Sequence, residues 1–533
     1  MSTHVNMLQQ WLASSWVFQH PLKWLQQLES SLQQGLLQSH SVQALQRLFN
    51  RSTPRVPLPF GWQPEALVQY GHGPLLALGL AGLMAVMTVA DTGPIGAVVW
   101  VLFAWYWGIA WVTGRSQWLQ QLHWGDVLVH LFFATYLISA SCSSVQPYAL
   151  QGLGKVATFW AAYTVWRGCF AQYPQAVGVL MAWLVCLGLG QTALGAWQWL
   201  HPSNELATWT DPSTLPEHQL MRVYGTLKPL NPNLLAGYLL ACMGAGVWLV
   251  GHLGALGLKR TWPWVLLALM AVLALVAGVG MTGSRGGYLG VAGIGLLSFL
   301  WAYPILTTDP VLKRHDWLKV VWLTLMATAV AGLSLILASS EALQHRLLSM
   351  FSFREDSSIS YRLNVYSACW RMFLDNWLVG IGPSNLVFKP TYGLYMVPGF
   401  NALGAYSVPL EIAVEQGLIG LTAFVILIKS MLATTALQLH DTRIQLTQKL
   451  WLGGIGIALL GFVFHGFFDT IWYRPSVQVL FWFFVAAWVT VLPSVPHLPC
   501  VPHVPSQPTA NASAEAWSHA VASVSKEPPS HAV

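Results

Sequence analysis

AYSVPLEIAVEQGLIGL, Ala405 to Leu421, marks the point where a long polar stretch runs into an apolar one. The polar stretch extends from about Ser339 to Tyr406 and carries Arg354, Glu355, Asp356, Arg362, Arg371, Asp375 and Lys389. On either side of it the chain is a ladder of apolar segments. The 533 residues are 55% hydrophobic and 8% charged, with a mean hydropathy of +0.52. A soluble domain carries roughly a quarter of its residues as Asp, Glu, Lys or Arg. A third of that cannot cover a water-facing surface, so the fold class is all-α: a polytopic integral membrane protein with lipids as its first partners.

A spanning helix needs about 20 mostly apolar residues. Candidate spans lie at roughly 75–91, 94–112, 125–142, 153–168, 177–200, 233–252, 262–281, 286–304, 318–339, 406–428, 449–468 and 475–493, which makes about 12. Tight turns are expected around Gly93 and Gly283. Lys and Arg concentrate in segments on the side of the N-terminus, among them Lys23, Arg47, Arg115, Arg167, Lys259 and Arg260. By the positive-inside bias both termini are cytoplasmic, in what is expected to be the inner (plasma) membrane, and residues 340–405 form a large extracytoplasmic loop between spans 9 and 10. The same bias accounts for the net charge of +6, and no basic patch of the nucleic-acid kind is present. The chain therefore divides into an N-terminal region (1–74), a transmembrane domain (75–493) and a Pro/Ser/Ala/His-rich tail (494–533) expected to be disordered. Residues 1–74, with Trp11, Trp16 and Trp24 among Gln and Ser, read as surface-lying amphipathic helices or as a partly disordered tail, followed by a linker at Pro54, Pro57, Pro59 and Pro64. No signal peptide is expected, because Met1 to Asn50 has no continuous apolar run. The six cysteines have no C-x-x-C spacing, so neither a metal nor a cofactor is expected.

Polar chemistry in such a protein sits where its polar residues are, and three clusters fall on the outer side. Arg222-Val-Tyr-Gly-Thr-Leu-Lys228-Pro-Leu-Asn231-Pro-Asn233 leads from a loop into a span, with Asn231 or Asn233 as N-cap. An Arg beside a helix start is an anion site, or simply an interfacial anchor. Met281-Thr-Gly-Ser-Arg285-Gly-Gly-Tyr288 contains the only charge across two adjacent apolar segments, and its glycines clear space for a ligand or another backbone. In the long loop a helix starts near Ser357 to Ser360 and ends in a turn at Asp375 to Asn385. Tyr361, Val365, Cys369 and Phe373 recur on one face, and Arg362 and Arg371 are either functional or part of a solvated polar face. Glu411 and Glu415 stand one turn apart on one face, as partners for Arg222 or Arg285, as a base, or as a cation ligand. His465, Asp469 and Arg474 lie near the last outer turn, where Asp469–Arg474 pairing is the expectation.

RVYGTLKPLNPN, MTGSRGGYLG, SYRLNVYSACWRMFLDNWLVGIGPSN and PLEIAVEQGLIGL, in this order, resemble the O-antigen ligase and polymerase-like membrane superfamily over roughly residues 75–490. AYSVPLEIAVEQGL and FFDTIWYRPSVQ look most like a cyanobacterial branch linked to inorganic-carbon accumulation and usually labelled bicarbonate transporters. The resemblance to the ligases implies that Arg222 and Arg285 hold a polyprenyl-linked pyrophosphate. It also implies a His base nine residues before Glu415, where this chain has Tyr406. An unperturbed Tyr has a pKa near 10 and offers about one phenolate in a thousand at pH 7, so Glu415 is the substitute candidate. Three functions stay open: membrane inorganic-carbon accumulation with an anion site (Arg222, Arg285, Asn233, Arg362 and Lys228), transfer of a lipid-linked glycan, and a non-catalytic scaffold.

Overall fold

The computed structural model describes residues 16–50, 63–201, 222–310, 357–469, 471 and 474–492, with short runs between 312 and 331. All of them lie within one compact unit, Met1–Leu492. They form helices and no named strand, with one isolated bridge between Asn50 and Arg115. In chain order the helices are α1 (Trp16–Gln38), α2 (His40–Leu48), α3 (Pro64–Gly71), α4 (Pro74–Val86), α5 (Thr92–Thr113) and α6 (Gln117–Gln120). Then come α7 (Trp124–Cys142), α8 (Gln146–Gln172), α9 (Ala176–Leu200), α10 (Pro232–Ala255), α11 (Leu258–Thr282) and α12 (Arg285–Thr308). After the described gap follow α13 (Ser357–Asp375), α14 (Asn385–Tyr392), α15 (Val408–His440), α16 (Leu446–Gly466) and α17 (Pro475–Val491).

Among the described residues, eight helices are long and apolar enough to cross a membrane. The expectation of about 12 spans is therefore not confirmed by this measure. α4 has 13 residues and α17 has 17. α8 is long at 27 residues, but Lys155, Arg167 and its glutamines lower its hydropathy. The candidate span 318–339 lies mostly outside the described residues, as do 332–356, the tail and Pro54 to Pro59. The turn expected at Gly93 falls at residues 87–91, with Asp91 as N-cap of α5. Pro64 opens a helix at N1, where its fixed φ is an advantage, rather than continuing a linker. α17 can be short because protein surrounds it: every residue from Pro475 to Val489 is buried.

The N-terminal helices are tied to the bundle. Gln33 Oε1 accepts from the Trp124 amide at 2.9 Å, and Gln46 Nε2 donates to the Leu119 carbonyl at 2.9 Å. At the same end Arg167, which the charge count treats as a loop residue, is 3% exposed within α8. Its Nε donates to Asp126 Oδ1 at 3.2 Å; Tyr163 and Trp118 donate to the same oxygen and the His123 amide to Oδ2. A buried pair is tolerable only when its remaining donors and acceptors are used in this way.

The feature that positions the other end is a break in α15. Gly417 has φ 64° and ψ −159°, a conformation open in practice to glycine alone. Backbone groups freed inside an apolar layer must find partners, and residues 377–382 supply them. Ile381 and Gly382 amides donate to the Val414 and Glu415 carbonyls at 2.9 and 3.1 Å. The Leu418 and Ile419 amides donate to Trp377 and Leu378 at 2.7 and 3.2 Å. Ser139 Oγ also donates to the Glu415 carbonyl. A Cβ at 417 would stand 2.4 Å from the Leu378 carbonyl carbon. Gly417→Ala is thus expected to cost more than about 3 kcal/mol, read as lost thermal stability of the purified chain in detergent. Gly295→Ala, with open space at its Cβ, serves as the neutral comparison.

Candidate functional site

The 222–233 segment docks on the turn between α11 and α12. The Val223 amide donates to the Met281 carbonyl at 3.2 Å. Gly283 ends α11 in the left-handed region at φ 60°, and Ser284 caps α12 by accepting from the Gly287 amide at 3.2 Å. A Cβ at 283 would lie 3.1 Å from Arg222 Cγ, so the glycine lets the arginine lie on the turn. Arg222 Nε donates to the Thr282 carbonyl at 2.9 Å and Nη2 to Asn233 Oδ1 at 2.7 Å. Asn231 is the N-cap of α10, accepting from the Asn233 amide at 2.8 Å. Arg285 follows as the first residue of α12. Two motifs some 60 residues apart in sequence therefore form one face, a helix start with an arginine laid on the turn before it. Lys228 is exposed on the same segment, and among the described residues no hydrogen bond or ion pair holds it.

His465, near the end of α16, joins this face to the next cluster. It is fully buried. A Cβ at Gly286 would lie 3.4 Å from its Cδ2 and 3.5 Å from its Nε2, and one at Gly237 would lie 3.7 Å from its Nδ1. Beyond it, Arg362 of α13 donates to the Phe468 carbonyl at 2.7 Å and to Asp469 Oδ2 at 3.2 Å. The expected Asp469–Arg474 pair is thus replaced by Asp469–Arg362 as the close contact. Arg474 has Glu411, Asp469 and Tyr406 as its electrostatic neighbours, which oppose the lowering that burial imposes on it. Glu411 is 0% exposed.

Tyr406 lies two residues before α15, at φ 51°, with the Arg362 guanidinium 5.9 Å from its ring centroid. Burial first, then Tyr361 and Asp469, push its phenol up to about 12. That moves it further from the range of a base at neutral pH than its ordinary value already does. Glu415 is buried. Its Oε1 accepts from the Ser384 amide at 2.7 Å, fastening the turn that opens α14. Arg371 donates to the Tyr395 carbonyl at 3.0 Å on the exposed side of the loop helices.

The ends of α10, α12, α13, α15 and α16 and the residues before α17 thus carry one polar belt. It holds Arg222, Arg285, Arg362 and Arg474 together with the buried carboxylates Asp469, Glu411 and Glu415. No group of three metal-ligating side chains occurs among the described residues. A polar recess of about 810 Å³ lined by Gln69, Arg115 and Gln172 lies at the opposite end and contains none of these residues. Sequence reasoning placed His465 near the last turn without giving it a role. The available signal was the alignment of small residues, Gly237 and Gly286, which no single helix pattern reveals.

A family model described as O-antigen ligase matches residues 270–425. The match takes in Arg285, Arg362, Tyr406, Glu411 and Glu415, and leaves Arg222, His465, Asp469 and Arg474 outside. No curated protein matches the chain. The match and the helical bundle support an O-antigen-ligase-like membrane protein.

Arg222→Lys cannot make both bonds of the guanidinium, since a lysine offers a point charge rather than a planar fork. Losing one charge-assisted hydrogen bond within the fold costs about 1.5–3 kcal/mol. The variant is therefore expected to unfold at a lower temperature than the native chain in detergent, and an unchanged unfolding temperature would show that the seat is not held by these bonds.

Proposed function

We propose that the protein transfers a glycan from a polyprenyl pyrophosphate, at the extracytoplasmic face of the inner membrane, with both termini cytoplasmic. The observation that carries this reading is the seating of Arg222 on the turn that presents Arg285 at the start of α12. The positive end of a helix with two guanidiniums beside it makes an anion cradle. In glycan transfer the pyrophosphate leaves with the electron pair of the broken sugar–oxygen bond. Positive groups fixed where that charge develops lower the barrier.

Bicarbonate transport, implied by the cyanobacterial resemblance, draws no support from the family match, which is to a ligase. The geometry adds a reason. Transporters hold ions at unwound helix segments, whereas the break in α15 has its backbone groups taken by residues 377–382 and Ser139. A scaffold needs neither the cradle nor Arg285.

The test is gene deletion with complementation, measuring lipid-linked glycan and bicarbonate uptake in the same cells. The expected result is glycan accumulation with normal uptake, corrected by the native gene and not by Arg285→Ala. Full correction by Arg285→Ala would favour the scaffold, and lost uptake with unchanged glycan would overturn the proposal.

A further inference from the structure

We infer that His465 is a ligand of the anion held at the start of α12, its imidazole hydrogen-bonding a phosphate oxygen beside Gly286. The inference rests on the proposed anion cradle, not on the transfer reaction. Two independent observations meet here. The first is the helix start itself, capped by Ser284 and preceded by the Arg222 seat. The second is the imidazole: His465 is 0% exposed, and among the described residues neither Nδ1 nor Nε2 has a hydrogen-bond partner. Buried polar atoms of native proteins are nearly always satisfied, and leaving one unmade costs about 1–3 kcal/mol. An orphaned imidazole is therefore a group that something else completes.

The ring is aimed. Its Cδ2–Nε2 edge faces Gly286, where a Cβ would stand 3.4–3.5 Å away, and its Nδ1 side faces Gly237 of α10. Glycine at both positions lets two helices close on the ring and keeps side chains off the α12 start. The charges acting on the ring are Asp469 on the following turn and Arg362 of α13; α12 brings Arg285 next to Gly286, and α10 brings no charge within a turn of Gly237. With Asp469 already bonded to Arg362, an oxyanion beside Gly286 is the acceptor that suits an imidazole N–H.

The chemistry recognised is a phosphate or pyrophosphate, free or as a lipid headgroup. The full-length chain, purified in detergent with 15N-labelled histidine, is titrated with inorganic pyrophosphate and with farnesyl pyrophosphate. Affinities are also measured for His465→Ala, His465→Asn and His465→Gln. One histidine ring resonance, absent from the variants, is expected to shift on adding either probe. His465→Ala is expected to weaken binding by ten-fold or more, with Asn or Gln, which keep an N–H, recovering most of it. A response to farnesyl pyrophosphate alone assigns the lipid source. An unmoved resonance, or equal affinities in wild type and all three variants, overturns the inference, as does displacement of the probes by millimolar bicarbonate. Because only binding is read, a chain that binds through His465 and transfers no glycan would contradict the proposed function alone.

Discussion

Within lipid every backbone N–H and C=O must be satisfied by protein, and the break at Gly417 makes that requirement the organiser of this molecule. A helix of 33 residues that stops being helical at one glycine leaves amides and carbonyls open. Residues 377–382 fill them, so the turn after α13 becomes part of the bundle. Fixing that turn fixes α13, which delivers Arg362 to Asp469, and fixes the approach to α15 on which Tyr406 and Glu411 stand. Glu415 belongs to the same construction through the Ser384 amide.

The site is then electrostatic in character. Four arginines outnumber the three buried carboxylates Asp469, Glu411 and Glu415, and the charges gather at helix ends where backbone dipoles add to them. Desolvation sharpens any interaction made there. Tyr406 responds to the same surroundings in the opposite sense: burial and the Asp469 charge keep its proton in place. In the proposed function, such a site would bind the pyrophosphate and stabilise its departing negative charge before any acid–base chemistry.

Much of the fold was legible in the sequence, for stated reasons. α13 runs from Ser357 to Asp375, where polar residues open and close an apolar repeat, and Gly283 ends α11 where the glycine-rich turn was expected. The break at Gly417 was not legible, because the candidate span at 406–428 runs straight through it and single glycines occur in unbroken spans. Arg167 looked like a loop charge because its partner Asp126 is 41 residues away. His465 had no visible role because a helix apolar all round does not show which face meets the site. Asp469 found Arg362 rather than Arg474, a contact between residues 107 positions apart that local spacing cannot anticipate. The count of 12 is not confirmed among the described residues: α4 and α17 are short, α8 is too polar by hydropathy, and the candidate span at 318–339 lies mostly outside them.

The central claim is that this polar belt acts on a pyrophosphate-linked glycan and does not pass a small anion. The most direct measurement uses the purified full-length protein in liposomes loaded with a polyprenyl-pyrophosphate oligosaccharide and an acceptor, following the lipid carrier and bicarbonate influx together. The account predicts release of polyprenyl pyrophosphate with glycan appearing on the acceptor, and no protein-dependent bicarbonate influx. Bicarbonate influx with the lipid-linked glycan left intact would contradict it.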